Sequence, residues 1–235
     1  MTTKEIMQEL KDYGNESTKK IFQKHGAPEP IYGVKVADLK KIQKKVKKDH
    51  TLSMELYATG NSDAMYLAGL IADEDQITKE DLQRWVREAS WHMISEYTVP
   101  WIAAESKHGY ELALEWIDSP EEKIASAGWA TLSSIASLRP DEELDDKMFS
   151  KLLDRAEKNV HKAQNRVRYT MNGFIIGVGC YIKELSEKAS VIGARIGKVN
   201  VEMGGTACKV PLATDYIKKV VDRGSLGKKR KQARC

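Results

Sequence analysis

The stretch EASWHMISEYT, residues 88–98, places Trp91, His92 and Glu96 within six positions. His92 and Glu96 are four residues apart, which puts an imidazole and a carboxylate on one face of a helix. Such a pair in a cleft can serve acid–base or charge-stabilising chemistry, with Glu96 and His92 as the candidate catalytic residues. The same spacing also suits an ordinary i,i+4 surface pair, and a tryptophan at a helix start suits a core. The other reactive residues are scattered. Histidines stand at 25, 50, 92, 108 and 161, with no HxxxH and no Cys/His cluster, so no metal site and no cofactor is expected. Cysteines at 180, 208 and 235 are odd in number and form no CxxC, which fits reduced thiols in a cytoplasmic protein. Gly173 and Gly177 form a GxxxG that suits close helix packing better than dinucleotide binding.

The elements that must position these residues read as helices. Apolar residues recur at helical spacing in 4–22 and 35–48, separated by the Pro/Gly-rich connector HGAPEPIYG. Further helices are predicted over about 52–59, 62–73, 79–89, 91–105, 107–117, 120–137, 141–158, 162–182 and 212–222, with Asp63, Thr78, Ser90 and Ser119 as candidate N-caps. Trp85-Val86, Trp101-Ile102 and Trp116-Ile117 recur at intervals of 16 and 15 residues, one helix plus a short turn. That is half of a HEAT-like unit.

The segment 194–213 breaks the pattern. It alternates with period two around Gly204-Gly205, and a two-residue turn there pairs Val201 with Cys208 and Val199 with Val210. The expected fold is therefore all-α: an α-α superhelix of stacked HEAT-like helix pairs, with one β-hairpin insertion near the C-terminus. Residues 1–223 form a single domain, with the hairpin at about 195–212. Residues 224–235, GSLGKKRKQARC, read as a basic flexible tail.

Net charge is only +4, but its distribution is uneven. Residues 1–50 carry +5, residues 51–146 carry −14 and residues 147–235 carry +13. Two basic ends imply a polyanion partner. The candidate contacts are Lys162, Arg166 and Arg168 on one predicted helix, Arg195, Lys198 and Lys209 around the hairpin, and Lys228, Lys229, Arg230 and Lys231 in the tail. No apolar run reaches the ~20 residues needed to cross a bilayer, and no membrane partner is expected.

Stacked helices, YGV at 32–34 opening a basic helix, and Ser90-Trp91 on a later helix together resemble the HEAT-like-repeat DNA alkylation repair superfamily, the AlkD-type alkylpurine DNA glycosylases. The resemblance runs over most of residues 1–190. Its active members carry S-W-W-D-x-x-D where this chain has Ser90, Trp91, His92, Met93 and Glu96. The second tryptophan is replaced by His92 and the first aspartate by Met93; the last carboxylate survives as Glu96. An arginine and another tryptophan expected on later helices fall near Ser126 and Phe174. The hairpin is similar to one that marks a non-glycosylase branch associated with branched or distorted DNA. The resemblance thus implies a DNA-repair-type protein binding damaged or branched DNA mainly through its backbone, with Trp91 also at the DNA. Two alternatives stand beside it: an active alkylpurine glycosylase using Glu96, and a HEAT-like scaffold for a protein partner.

Overall fold

Short polar side chains start most of the early helices. Thr2 caps α1 (Thr3–Asp12) in a capping box with Glu5, and Asn15 caps α2 (Glu16–Lys24). After α3 (Val36–Val46), Asp49 caps α4 (His50–Ala58) and Asn61 caps α5 (Ser62–Ile71). Thr78 caps α6 (Lys79–Glu88) in a second capping box, with Asp81. There follow α7 (Val99–Glu105), α8 (Gly109–Trp116), α9 (Glu122–Leu138), α10 (Asp146–Asn159), α11 (Asn165–Tyr181), α12 (Ser186–Ile196) and α13 (Ala213–Asp222). The computed structural model describes residues 1–206 and 208–234, and among these the chain is all-helical with no strand. No helix among the described residues is long and apolar enough to cross a membrane.

Asp63 does not cap a helix. It is 3% exposed and accepts from the backbone N–H groups of Tyr32 at 2.7 Å, Gly33 at 3.1 Å and Val34 at 2.9 Å. The YGV segment is thereby pinned to α5 by one buried carboxylate. Gly33 has φ +78°, and a Cβ there would lie 2.5 Å from the Lys19 nitrogen, so no other residue fits.

The recurring tryptophans are buried where successive helices stack. The Trp85 ring lies flat on Tyr57, centroids 4.0 Å apart, and the Tyr57 hydroxyl donates to the Trp85 carbonyl at 2.6 Å. Trp116 Nε1 donates to Gln83 Oε1 at 3.1 Å, linking α8 to α6. A first core gathers around Leu56, Trp85 and Ile102; a second gathers around Trp129, Phe149 and Phe174. α9 and α11 pack against one another in the second core. At Gly177 a Cβ would meet Ser133 Oγ at 2.4 Å, as close packing requires, whereas at Gly173 it would meet nothing within 4 Å.

Two expectations about the C-terminal third need correction. The first is the β-hairpin. The Gly204-Gly205 turn forms, with φ +66° and +68° and Thr206 N–H donating to the Met203 carbonyl at 3.3 Å. The flanking arms do not pair as strands; Ala207, in one of them, lies outside the described residues. Side chains of α11 take up backbone groups that a ladder would use. Asn165 bonds both backbone groups of Glu202, at 2.7 and 3.0 Å, and Asn172 Nδ2 donates to the Pro211 carbonyl at 2.9 Å. The arms stand apart around a cleft of about 660 Å³.

The second is the tail, which lies against the helices rather than extending from them. Gly227 N–H donates to the Cys180 carbonyl and Arg230 N–H to the Ser137 carbonyl, at 2.9 and 2.7 Å. Lys229 Nζ donates to the carbonyls of Ala136 and Tyr181 and pairs with Asp141 at 2.7 Å. Arg234, 9% exposed, donates to the carbonyls of Leu70 and Ala72 and pairs with Glu74 and Glu105. The last turns of α5, α9 and α11 leave carbonyls without intrahelical partners and carry the negative end of the helix dipole. Two tail cations are held there, beside acids of the chain's own acidic middle.

Candidate nucleic-acid interface

Pro100 shapes the backbone around Glu96. In an α-helix its ring would collide with the Glu96 carbonyl four residues earlier, and it has no N–H to offer. The chain widens into a π-turn, Ile94–Thr98, closed by Val99 N–H donating to the Ile94 carbonyl. Such turns are frequent at functional sites because they redirect side chains. Here the turn alters the four-residue register expected for His92 and Glu96, and Glu96 pairs elsewhere.

Its partner is Arg166, from α11. Arg166 Nε donates to Glu96 Oε1 at 2.7 Å and a terminal nitrogen donates to Oε2 at 2.5 Å. The two side chains are 16% and 2% exposed. Bidentate pairing of this kind fixes both groups in one geometry. Burial pushes the Glu96 carboxyl up, while the Arg166 hydrogen bonds and charge pull it down. Arg166 is fixed further: its guanidinium lies 4.5 Å from the centre of the Tyr169 ring, and its backbone N–H donates to Glu122 at 2.8 Å. Beside the pair, burial and the neighbouring Tyr169 hydroxyl push the Tyr97 phenol up.

A cavity of about 430 Å³ opens on the Arg166 side, lined by Phe22 of α2, His25 just after that helix, Trp91, His92, Tyr97, Tyr169 and, from the loop after α12, Met203, Cys208 and Lys209. Trp91 packs on Phe22 with ring centroids 5.6 Å apart and edge-on to His92 at 5.0 Å. It is half-buried and packs against the first core, so it is core and cavity wall at once. His92 faces His25, ring centroids 5.9 Å apart. Burial, then the Arg166 charge and His25, lower the His92 imidazole to about 4. A neutral His92 offers no charge to a phosphate.

The loop after α12 reaches across to α2. A Cβ on Gly204 would meet the Lys24 carbonyl at 2.1 Å, so the turn rests directly on the end of that helix. The loop thus brings the basic C-terminal third against the basic N-terminal segment. Lys198 and Lys209 are exposed on its arms and, with Arg168, line the 660 Å³ cleft; Lys209 also lines the cavity at Arg166. Arg168 is partly engaged, its Nε donating to the Ala163 carbonyl at 2.7 Å. Lys162 is exposed, and Arg195 is exposed but pairs with Glu157 at 3.3 Å. In the tail, Lys228, Arg230 and Lys231 are exposed, whereas Lys229 is committed to helix ends.

Ser126 is buried with its hydroxyl donating to the Lys123 carbonyl, and Phe174 packs on Trp129 and Phe149 in the second core. Neither lines the cavity. The arginine sought near Ser126 is not there, and Arg166 of α11 lines the cavity instead. Sequence reasoning did not find Tyr97, Tyr169, Phe22, His25 or Met203. The i,i+3 spacing of Arg166 and Tyr169 was the available signal for one of them. Among the described residues, Asp73, Glu74 and Asp75 are the acids close enough to share an ion, and Lys48 and Arg234 already pair with that group.

Residues 6–189 match the family model for DNA alkylation repair enzymes. An uncharacterised protein of Listeria innocua is 36% identical over 230 residues, covering 95% of this chain and 99% of its own. An uncharacterised protein of Listeria monocytogenes matches at the same identity and coverage. A solved structure, described as a new family of proteins related to the HEAT-like repeat DNA glycosylases with affinity for branched DNA structures, is 38% identical. It superposes with a TM-score of 0.91 over 100% of both chains.

Proposed function

From the premise that this chain belongs to the DNA alkylation repair enzyme family, we propose that it binds branched or damaged DNA mainly through the phosphate backbone and does not excise bases. One observation carries the second half of that reading: both oxygens of Glu96 are engaged by Arg166. Excision needs a carboxylate placed to stabilise positive charge on the sugar as the base departs. A carboxylate already neutralised by a bidentate guanidinium has little field left for that purpose. His92, held neutral, supplies no acid near pH 7.

The binding half is supported by exposed cations on a bridging loop. Lys198 and Lys209 stand on arms that span from α12 to α2, with Arg168 at the cleft between them. Cations fixed on a rigid frame contact phosphates without reading sequence. The solved relative has affinity for branched DNA structures, and full-length similarity to it supports the same preference here.

Two assays test the reading. Anisotropy titrations against a four-way junction and a linear duplex should show tighter binding to the junction, weakening as salt rises. Incubation with methylated DNA should release no methylpurine above the protein-free control. Release that disappears in Glu96→Gln would establish the glycosylase alternative. Absence of DNA binding would move the protein to the scaffold reading.

A further inference from the structure

Gly173 lies in the middle of α11, where glycine weakens a helix relative to alanine. A glycine at such a place usually admits a close neighbour, as Gly177 admits Ser133. At Gly173 there is no such neighbour, and the missing side chain opens onto a second cavity, of about 280 Å³. This cavity has Glu96 in its lining and shares Tyr97 and Tyr169 with the one at Arg166. Trp101 supplies a third aromatic ring, and the exposed Arg230 stands among its lining residues. Asn172 also lines it. Asn172 is 1% exposed, its Nδ2 donates to Pro211, and its Oδ1 has no hydrogen-bond partner. A buried acceptor without a donor is costly, and a donor that reached it would offset that cost.

We infer that this cavity takes one unpaired nucleobase, with Tyr97, Trp101 and Tyr169 as its aromatic walls, Asn172 as acceptor and Gly173 as the residue that keeps it open. Its volume lies just under the ~300–1,000 Å³ of small-molecule pockets, enough for one flat ring system and little more. Aromatic walls favour a planar π-system. The acceptor favours a ring bearing N–H groups, and a base that has lost its pairing partner is free to leave the stack and bring its N–H groups into a cavity. Arg230 would meet the phosphate attached to such a base. Branch points are where duplexes expose unpaired bases, so the inference rests on the DNA-binding reading and specifies what part of the DNA enters the fold.

The test uses the full-length protein and Gly173→Leu. A Cβ at this position meets no atom within 4 Å, so the variant should fold, and its side chain should fill the cavity. Gly173→Ala, which removes the helix-weakening glycine but leaves most of the space, is the control. A three-way junction carrying one unpaired 2-aminopurine at the branch reports base capture by fluorescence and affinity by anisotropy. Saturation-transfer NMR with free deoxynucleoside monophosphates reports the cavity without DNA. Wild type and Gly173→Ala should change the 2-aminopurine signal and show transfer to the nucleotide ring protons. Gly173→Leu should lose both and bind this junction about tenfold more weakly, with paired duplex unaffected. Junction binding with no 2-aminopurine change, and nucleotide transfer equal in wild type and Gly173→Leu, would overturn the inference while leaving DNA binding intact. Nucleotide transfer that is lost in Gly173→Leu, from a protein that binds no junction, would uphold the pocket and remove the DNA-binding reading. Neither junction binding by anisotropy nor nucleotide transfer in wild type would overturn both.

Discussion

Burial lowers the His92 imidazole to about 4, with the Arg166 charge and His25 pushing the same way. The unfolded chain takes up that proton near pH 6.5. The folded state therefore binds fewer protons between about 6.5 and 4, and stability should fall as pH drops through that window and level off below it. NMR titration of the ring should find it neutral down to pH 5, and His92→Gln should flatten that part of the stability profile. A midpoint near 6.5 would show a solvated ring. The Glu96–Arg166 pair gives a second test. Arg166→Met leaves a buried carboxylate alone, and loss of one partner of a buried pair typically costs about 3–5 kcal/mol. Glu96→Gln with Arg166→Met should recover most of that loss in urea denaturation. Equal losses in the single and double variants would mean the pair contributes only packing. Glu96 stands out in the sequence as the candidate carboxylate of its stretch. The sequence could not show the partner, because Arg166 is 70 positions away and the π-turn before Pro100 upsets the four-residue register with His92.

The loop after α12 shows what periodicity can and cannot specify. Alternation and Gly204-Gly205 gave the turn and its 203–206 hydrogen bond, because those are local properties. They could not give the absence of a ladder, because Asn165, Arg168 and Asn172 compete for the arms from a helix some 30–40 residues earlier. Asn165→Ala should free Glu202 and loosen the loop. We expect weaker binding to branched DNA with little change for straight duplex, and faster amide exchange at Glu202. Lys198→Ala with Lys209→Ala should likewise reduce junction affinity more than duplex affinity. The log K versus log salt slope should flatten by at most ~0.9 for each phosphate that the variant no longer neutralises. Equal losses on both DNAs would make these lysines general phosphate contacts with no role in choosing shape.

Across the molecule, the charge asymmetry of the sequence has two outlets. Lys229 and Arg234 are used internally, across the ends of α5, α9 and α11 and against Asp141, Glu74 and Glu105. Deleting residues 228–235 should therefore lower unfolding stability by about 2 kcal/mol or more, read by denaturation in parallel with DNA affinity. An unchanged melting curve would mean that the tail contributes nothing to the fold. The helical stack was legible because the tryptophan repeat is a local signal; of the expected caps Thr78 caps its helix, whereas α5 and α9 start from Asn61 and Glu121. The docking of the tail was not legible, since its partners are orphan carbonyls that any helix end offers. Other cations of the C-terminal third, Lys162, Lys198, Lys209, Lys228, Arg230 and Lys231, are exposed and, in the proposed reading, face a polyanion. The most direct test is one titration series: wild-type protein against a four-way junction and a duplex of equal length, by anisotropy, at several salt concentrations. The expected result is tighter binding to the junction at every salt concentration, with log K falling linearly in log salt for both DNAs. Equal affinity for the two DNAs, or binding that ignores salt, would contradict a branched-DNA-binding role for this protein.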